Sequence, residues 1–112
     1  MKIIQNEENG IVNLSISGRL DAVSAVEADK EFNSVLDSGK TKLLIDLAEL
    51  EYISSAGLRV LLVVAKRIQQ KGGKVVLCKL AENVKEVFEI SGFSSIFKIF
   101  PVTDEAKTFL NS

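Results

Sequence analysis

Two short apolar runs, Lys42 to Leu47 (KLLIDL) and Lys74 to Leu80 (KVVLCKL), constrain the fold of this chain more than any other feature. Each is almost continuous in apolar side chains, as expected of a strand covered on both faces in a parallel or mixed sheet. Between them, from Ser55 to Gln70, Leu58, Leu61, Leu62, Ala65 and Ile68 form one helical stripe, and Gly72 and Gly73 end the helix. Strand, helix and strand in that order predict a largely parallel sheet with right-handed crossovers. The segment AELEYIS, between the first run and the helix, reads as a loop.

The flanking segments extend the pattern. Lys2 to Glu7 and Ile11 to Ser17 read as strands joined by a turn at Asn9, Gly10, a pair that tolerates the positive φ of a hairpin. In the second strand Val12, Leu14 and Ile16 alternate with polar residues, so one face turns toward a core. Ala25, Ala28, Phe32, Val35 and Leu36 mark a helix closed by Gly39, with Ser24 and Glu27 as a capping box and Asp21 as a rival cap. Val84, Val87 and Phe88 mark a short helix ending at Gly92. Ile96 to Phe100 is the last strand, stopped by Pro101, and a final helix begins at Thr103, whose hydroxyl can cap it. The expected fold is α/β, one domain over residues 1–112, with about four helices.

Charge and composition exclude several classes of function. The 14 basic and 15 acidic residues nearly cancel and are interspersed, so the clustered cations of a nucleic-acid surface are missing. The chain has no His, so a Ser-His-Asp triad cannot be built, and its one cysteine, Cys78, rules out a thiolate metal cluster. Cys78 lies in an apolar run and reads as a buried thiol. No phosphate-loop or dinucleotide glycine pattern occurs. Asp46, Glu49 and Glu51 cluster before the second long helix and read as a solvated loop edge. The opening MKIIQNEENG lacks the apolar core of a signal peptide, and no run approaches the ~20 residues of a membrane span, so the expected location is cytoplasmic. Neither an enzyme nor a cofactor carrier is expected.

The unusual segment is YISSAGLRVLL, where hydroxyl and small residues precede an amphipathic helix. Ser54 or Ser55 suits an N-cap. The same helix start, with its free N–H groups and positive dipole end, could also hold a phosphate. Phosphorylation adds about −1.5 to −2 charges and would turn this surface, close to Glu49 and Glu51, strongly anionic. Arg59, one turn on, could pair with the phosphoryl group. Val60 and Val63 project from the helix on the side of Arg59 and Arg67, which suggests a partner surface.

Three ordered segments resemble the STAS domain family, named for sulphate transporters and anti-sigma factor antagonists: Gly18 to Ala22 (GRLDA), Leu44 to Leu62 (LIDLAELEYISSAGLRVLL) and Val84 to Ala106 (VKEVFEISGFSSIFKIFPVTDEA). The chain looks most like the free-standing antagonists. That resemblance implies a curved, mixed, largely parallel sheet wound with helices in a right-handed βα sense. It implies that Ser55, followed by Ala56, Gly57 and Leu58, is a phosphoacceptor; Ser54 stands where many antagonists have Asp and is an alternative acceptor or cap. Arg59, Val60, Val63, Arg67, Asp21 and Glu51 are the expected partner-binding residues. The implied partners are an anti-sigma factor serine kinase, which binds the unphosphorylated form and releases a sigma factor, and a serine phosphatase of the PP2C type that restores it. A constitutive adaptor subunit of a membrane transport or other signalling assembly is the alternative within the same family.

Overall fold

The hairpin that opens the chain is built on two left-handed residues. In the computed structural model, which describes residues 1–112, β1 (Lys2–Glu8) and β2 (Ile11–Leu20) pair antiparallel across Asn9 and Gly10, whose φ angles are 53° and 79°. Asn and Gly are the residues for which that region costs least. β2 is long enough to serve two parallel partners. Its first half pairs with β3 (Lys42–Asp46), Val12 opposite Leu43, and its last residues pair with β4 (Leu50–Ile53), Leu20 opposite Ile53. The change of partner falls between Ser15 and Gly18, and the register with β4 then shifts between Gly18 and Arg19. Gly18 sits at φ +86°, a conformation that re-aims the strand and is strained for any residue with a Cβ.

The expected loop AELEYIS is therefore corrected in part: Leu50–Ile53 is a strand. Four residues with polar Glu51 and Tyr52 in the middle carry no alternation of their own; the partner strand, distant in sequence, supplies the structure.

β5 (Lys74–Cys78) and β6 (Lys98–Phe100) complete a six-stranded sheet in the order β1-β2-β3-β5-β6, with β4 beside the end of β2; every pairing after the hairpin is parallel. The helices are α1 (Ala22–Asp37), α2 (Ser55–Gln70), α3 (Glu82–Ile90) and α4 (Thr103–Leu110). On one face the main core joins Val12, Leu14 and Ile16 of β2 to Phe32 and Leu36 of α1, Leu61 and Ile68 of α2 and Phe88 of α3. On the other, Ile11, Leu44, Val76 and Cys78 meet Ala106 and Leu110 of α4. Leu43 and Ile45 point one way and Leu44 the other, which is why KLLIDL is apolar at three successive positions.

Several boundaries move from their expected places. The last strand begins at Lys98, because Phe93–Ser95 forms a 3-10 turn and leaves Ile96 exposed. In α2, Val64 is buried and Leu62 only half-buried. The capping box of α1 is Asp21 with Ser24, not Ser24 with Glu27: the Ser24 backbone N–H donates to Asp21 Oδ1 at 3.1 Å, and the Asp21 N–H donates back to Ser24 Oγ at 2.9 Å. At α4 the cap position is Val102, with no side-chain bond, and Thr103 Oγ1 instead lies 4.0 Å from Cys78 Sγ. Cys78 is fully buried, and desolvation, reinforced by nearby Asp46, pushes its thiol pKa up.

Candidate functional site

The ends of β2 and β4 bring two helix N-termini side by side. The Ser54 N–H donates to the carbonyl of Leu20 at 2.9 Å, so the residue that caps α2 is fastened to the residue before the cap of α1. Both helices are 16 residues long and present their positive dipole ends at this edge. No acidic side chain occupies the first turn of either.

Ser54 and Ser55, equivalent as cap candidates in the sequence, differ in this geometry. Ser54 has extended backbone angles and its Oγ accepts the Gly57 N–H at 3.2 Å, which makes it the N-cap. Ser55 is the first helical residue, its side chain is exposed, and its hydroxyl is engaged in none of the chain's hydrogen bonds. The Leu58 N–H bonds back to the Ser54 carbonyl at 2.9 Å, so the N–H groups of Ser55 and Ala56 are left without a helical acceptor.

Gly57 explains how the helix start comes so near the sheet. A Cβ there would stand 2.7 Å from the Leu20 carbonyl oxygen and 2.9 Å from side-chain carbons of Leu20 and Ile53. Glycine is the one residue that lets the first turn of α2 rest on the end of β2, and that rest holds Ser55 at the rim.

The other expected residues divide. Asp21 is engaged as the cap of α1, and hydrogen bonds from Ser24, first the backbone N–H and then the hydroxyl, with lesser help from Val23 and Arg19, hold its carboxyl below the usual aspartate range. Glu51 is exposed on β4, and its carbonyl accepts from Asn83 Nδ2 of α3 at 2.8 Å. Arg59 is exposed and belongs to none of the chain's ion pairs. Val63 is exposed, whereas Val60 leans against the main core. Arg67 is half-buried beside Asp37 of α1, 3.8 Å between charged atoms, so it braces two helices as well as facing solvent. Of the carboxylate cluster, Asp46 accepts the Ala48 N–H at 2.9 Å and lies 3.6 Å from Lys79, while Glu49 and Glu51 are solvated.

Two features were missed by reasoning from sequence. Arg19 stacks its guanidinium 4.1 Å from the ring centroid of Tyr52, a pair made possible by the β2–β4 register. It is invisible while AELEYIS is read as a loop. On α1, Val23 and Val26 are 84% and 60% exposed. They sit three residues apart and off the buried stripe Ala25, Ala28, Phe32, a spacing that could have flagged them.

Comparison with known proteins follows the same outline. Residues 2–106 match the STAS domain, and the chain belongs to that family. BtrV of Bordetella bronchiseptica, named as a candidate anti-sigma factor antagonist, is 42% identical over 99 residues, which cover 88% of this chain and 85% of that protein. The anti-sigma-B factor antagonist of Bacillus subtilis is 30% identical over 95 residues, 85% of this chain and 84% of its own. Among solved structures, a Thermotoga maritima protein described as a candidate anti-sigma factor antagonist superposes with a TM-score of 0.93 at 25% identity, covering 98% of this chain and 95% of that one. No helix of the chain is long and apolar enough to cross a membrane.

Proposed function

We propose that this protein is an anti-sigma factor antagonist whose unphosphorylated form binds an anti-sigma factor serine kinase and so releases a sigma factor, and that phosphorylation of Ser55 ends the complex. The antagonist part of this reading is supported by the names of relatives that align over most of both chains. The observation that carries the switch is the division of labour between adjacent serines: Ser54 is engaged as a cap, and Ser55 presents a free hydroxyl at the rim. A kinase can reach Ser55 without opening the fold, and a phosphoryl group there would meet the unpaired N–H groups of Ser55 and Ala56.

The switch then works by charge rather than by refolding. In the unphosphorylated form exposed Val23 and Val26 of α1, Val63 and Arg59 of α2 and the Arg19–Tyr52 pair are available for docking. Phosphorylation places about two negative charges at the start of α2, and burying them against a partner surface that lacks matching cations costs several kcal/mol. The kinase contributes nucleotide and catalytic groups, the chain contributes an acceptor oxygen, and a serine phosphatase of the PP2C type restores the hydroxyl.

Isothermal titration against the anti-sigma factor serine kinase of the same genome tests this. Ser55→Glu should weaken binding about a hundredfold, equivalent to about 3 kcal/mol, while Ser55→Ala stays close to the unmodified protein. Equal affinity for Ser55→Glu and the unmodified protein would overturn the switch and leave a constitutive adaptor.

A further inference from the structure

At the opposite end of α2 the structure holds a second surface, distinct from the Ser55 rim. A groove of about 530 Å³ runs between the last two turns of α2, the start of β5 and the approach to β6. Its floor is apolar: half-buried Leu62, Val75 and Phe109, with buried Phe97 beneath. At its lip stands Ile96, 52% exposed because the 3-10 turn at Phe93–Ser95 carries it away from the sheet.

Every charged residue lining this groove is a lysine: Lys66, Lys74 and Lys98. That is a local excess in a chain whose net charge is −1. None of the three takes part in an ion pair with a carboxylate. Lys74 Nζ and Lys98 Nζ lie 5.0 Å and 5.9 Å from the Phe109 ring centroid, and Lys74 also donates to the Ser112 carbonyl at 3.0 Å. Lys74 and Lys98 thus stand over the Phe109 ring, and Lys66 and Lys98 line the groove with no carboxylate partner.

We propose that this groove docks an acidic amphipathic helix of a partner protein. Shape favours a helix over a strand. The α2 line from Leu62 to Gln69 is about 10 Å long, the span covered by apolar anchors at i, i+4 and i+7 of a docked helix. β6 offers only three residues before Pro101, too short an edge to template an added strand. Charge selects acids on the flanks of those anchors, where Lys66 and Lys98 would meet them at the rim and set orientation and association rate. The groove begins about 10 Å beyond Ser55 along α2. The groove shares none of its lining residues with the surface assigned to the Ser55 switch, so failure of one reading leaves the other standing.

The test uses a fluorescein-labelled designed helix of roughly 16 residues, with leucines at i, i+4 and i+7 and glutamates on both flanks, titrated with the full chain while anisotropy is read. The expected result is saturable binding that weakens at least tenfold in Lys66→Glu/Lys98→Glu and in Ile96→Ser, is unchanged in Ser55→Ala, and perturbs the NMR resonances of Leu62, Val75 and Phe109. Both test variants alter solvent-facing side chains, and their circular dichroism should match that of the unmodified protein. Equal binding of a scrambled peptide of the same charge would overturn the proposal. So would chemical-shift changes elsewhere on the protein. Concentration-dependent dimerisation abolished by Lys66→Glu/Lys98→Glu would assign the groove to a second copy, and uptake by phosphatidylglycerol vesicles without peptide binding would assign it to lipid; either result overturns it.

Discussion

Ser54 and Ser55 differ in what their oxygens do, and single substitutions should separate them. Ser54→Ala removes the acceptor for the Gly57 N–H and should cost about 1 kcal/mol in urea unfolding. Ser55→Ala removes an exposed hydroxyl with no partner and should change stability by less than about 0.5 kcal/mol. Gly57→Ala should cost about 1–3 kcal/mol, because the added carbon meets backbone at Leu20, which cannot swing aside. The same denaturation curves decide it: a neutral or stabilising alanine would mean that the helix start does not rest on the sheet. The pattern Ser-Ser-Ala-Gly is legible in the sequence as a helix start, and the family resemblance points to Ser55 as the acceptor, but which hydroxyl caps the helix is not legible. It depends on the bond from Ser54 to Leu20, thirty-four positions earlier, which no local pattern encodes.

Within the elements, the start of α1 carries a titratable lock. Asp21 ionised accepts from both Ser24 and Val23, and its pKa in the fold lies below the ordinary 3.8. A depressed carboxylate contributes stability that is complete above the unfolded value and is lost as pH falls through the folded one. The first turn of α1 should therefore loosen below about pH 3.8, seen as a loss of the Ser24 and Val23 amide signatures in NMR. Asp21→Asn, which keeps an acceptor and removes the charge, should flatten that dependence; an unchanged pH profile would contradict the assignment. Long elements with strong periodicity, α1, α2 and the buried strands, are readable from sequence because each repeats one physical signal many times. β4 and the start of α4 are not. β4 is held by pairing with β2, and Thr103 turns toward Cys78 when a hydroxyl at a helix start would ordinarily cap.

At the scale of the whole molecule, one sheet separates two apolar layers, a large one under α1, α2 and α3 and a small one under α4. The small layer still contributes: Leu110→Ala should cost about 2–5 kcal/mol by calorimetry or denaturant titration, since Leu110 is buried to 1% exposure. Cys78 belongs to that layer, and its raised pKa and full burial should make alkylation more than about a hundredfold slower in the folded protein than in urea. The α/β class is legible because nearly continuous apolar strands alternate with striped helices. Sheet order is not, because β2 divides between two partners that lie far from it in sequence. That split brings the starts of α1 and α2 together, with Ser55 exposed at the edge. The most direct measurement is mass-spectrometric mapping of the phosphate after incubation with the anti-sigma factor serine kinase and ATP. One phosphoryl group on Ser55 is expected, absent in Ser55→Ala and retained in Ser54→Ala; phosphate on Ser54, or persisting in Ser55→Ala, would rule out Ser55 as the switch.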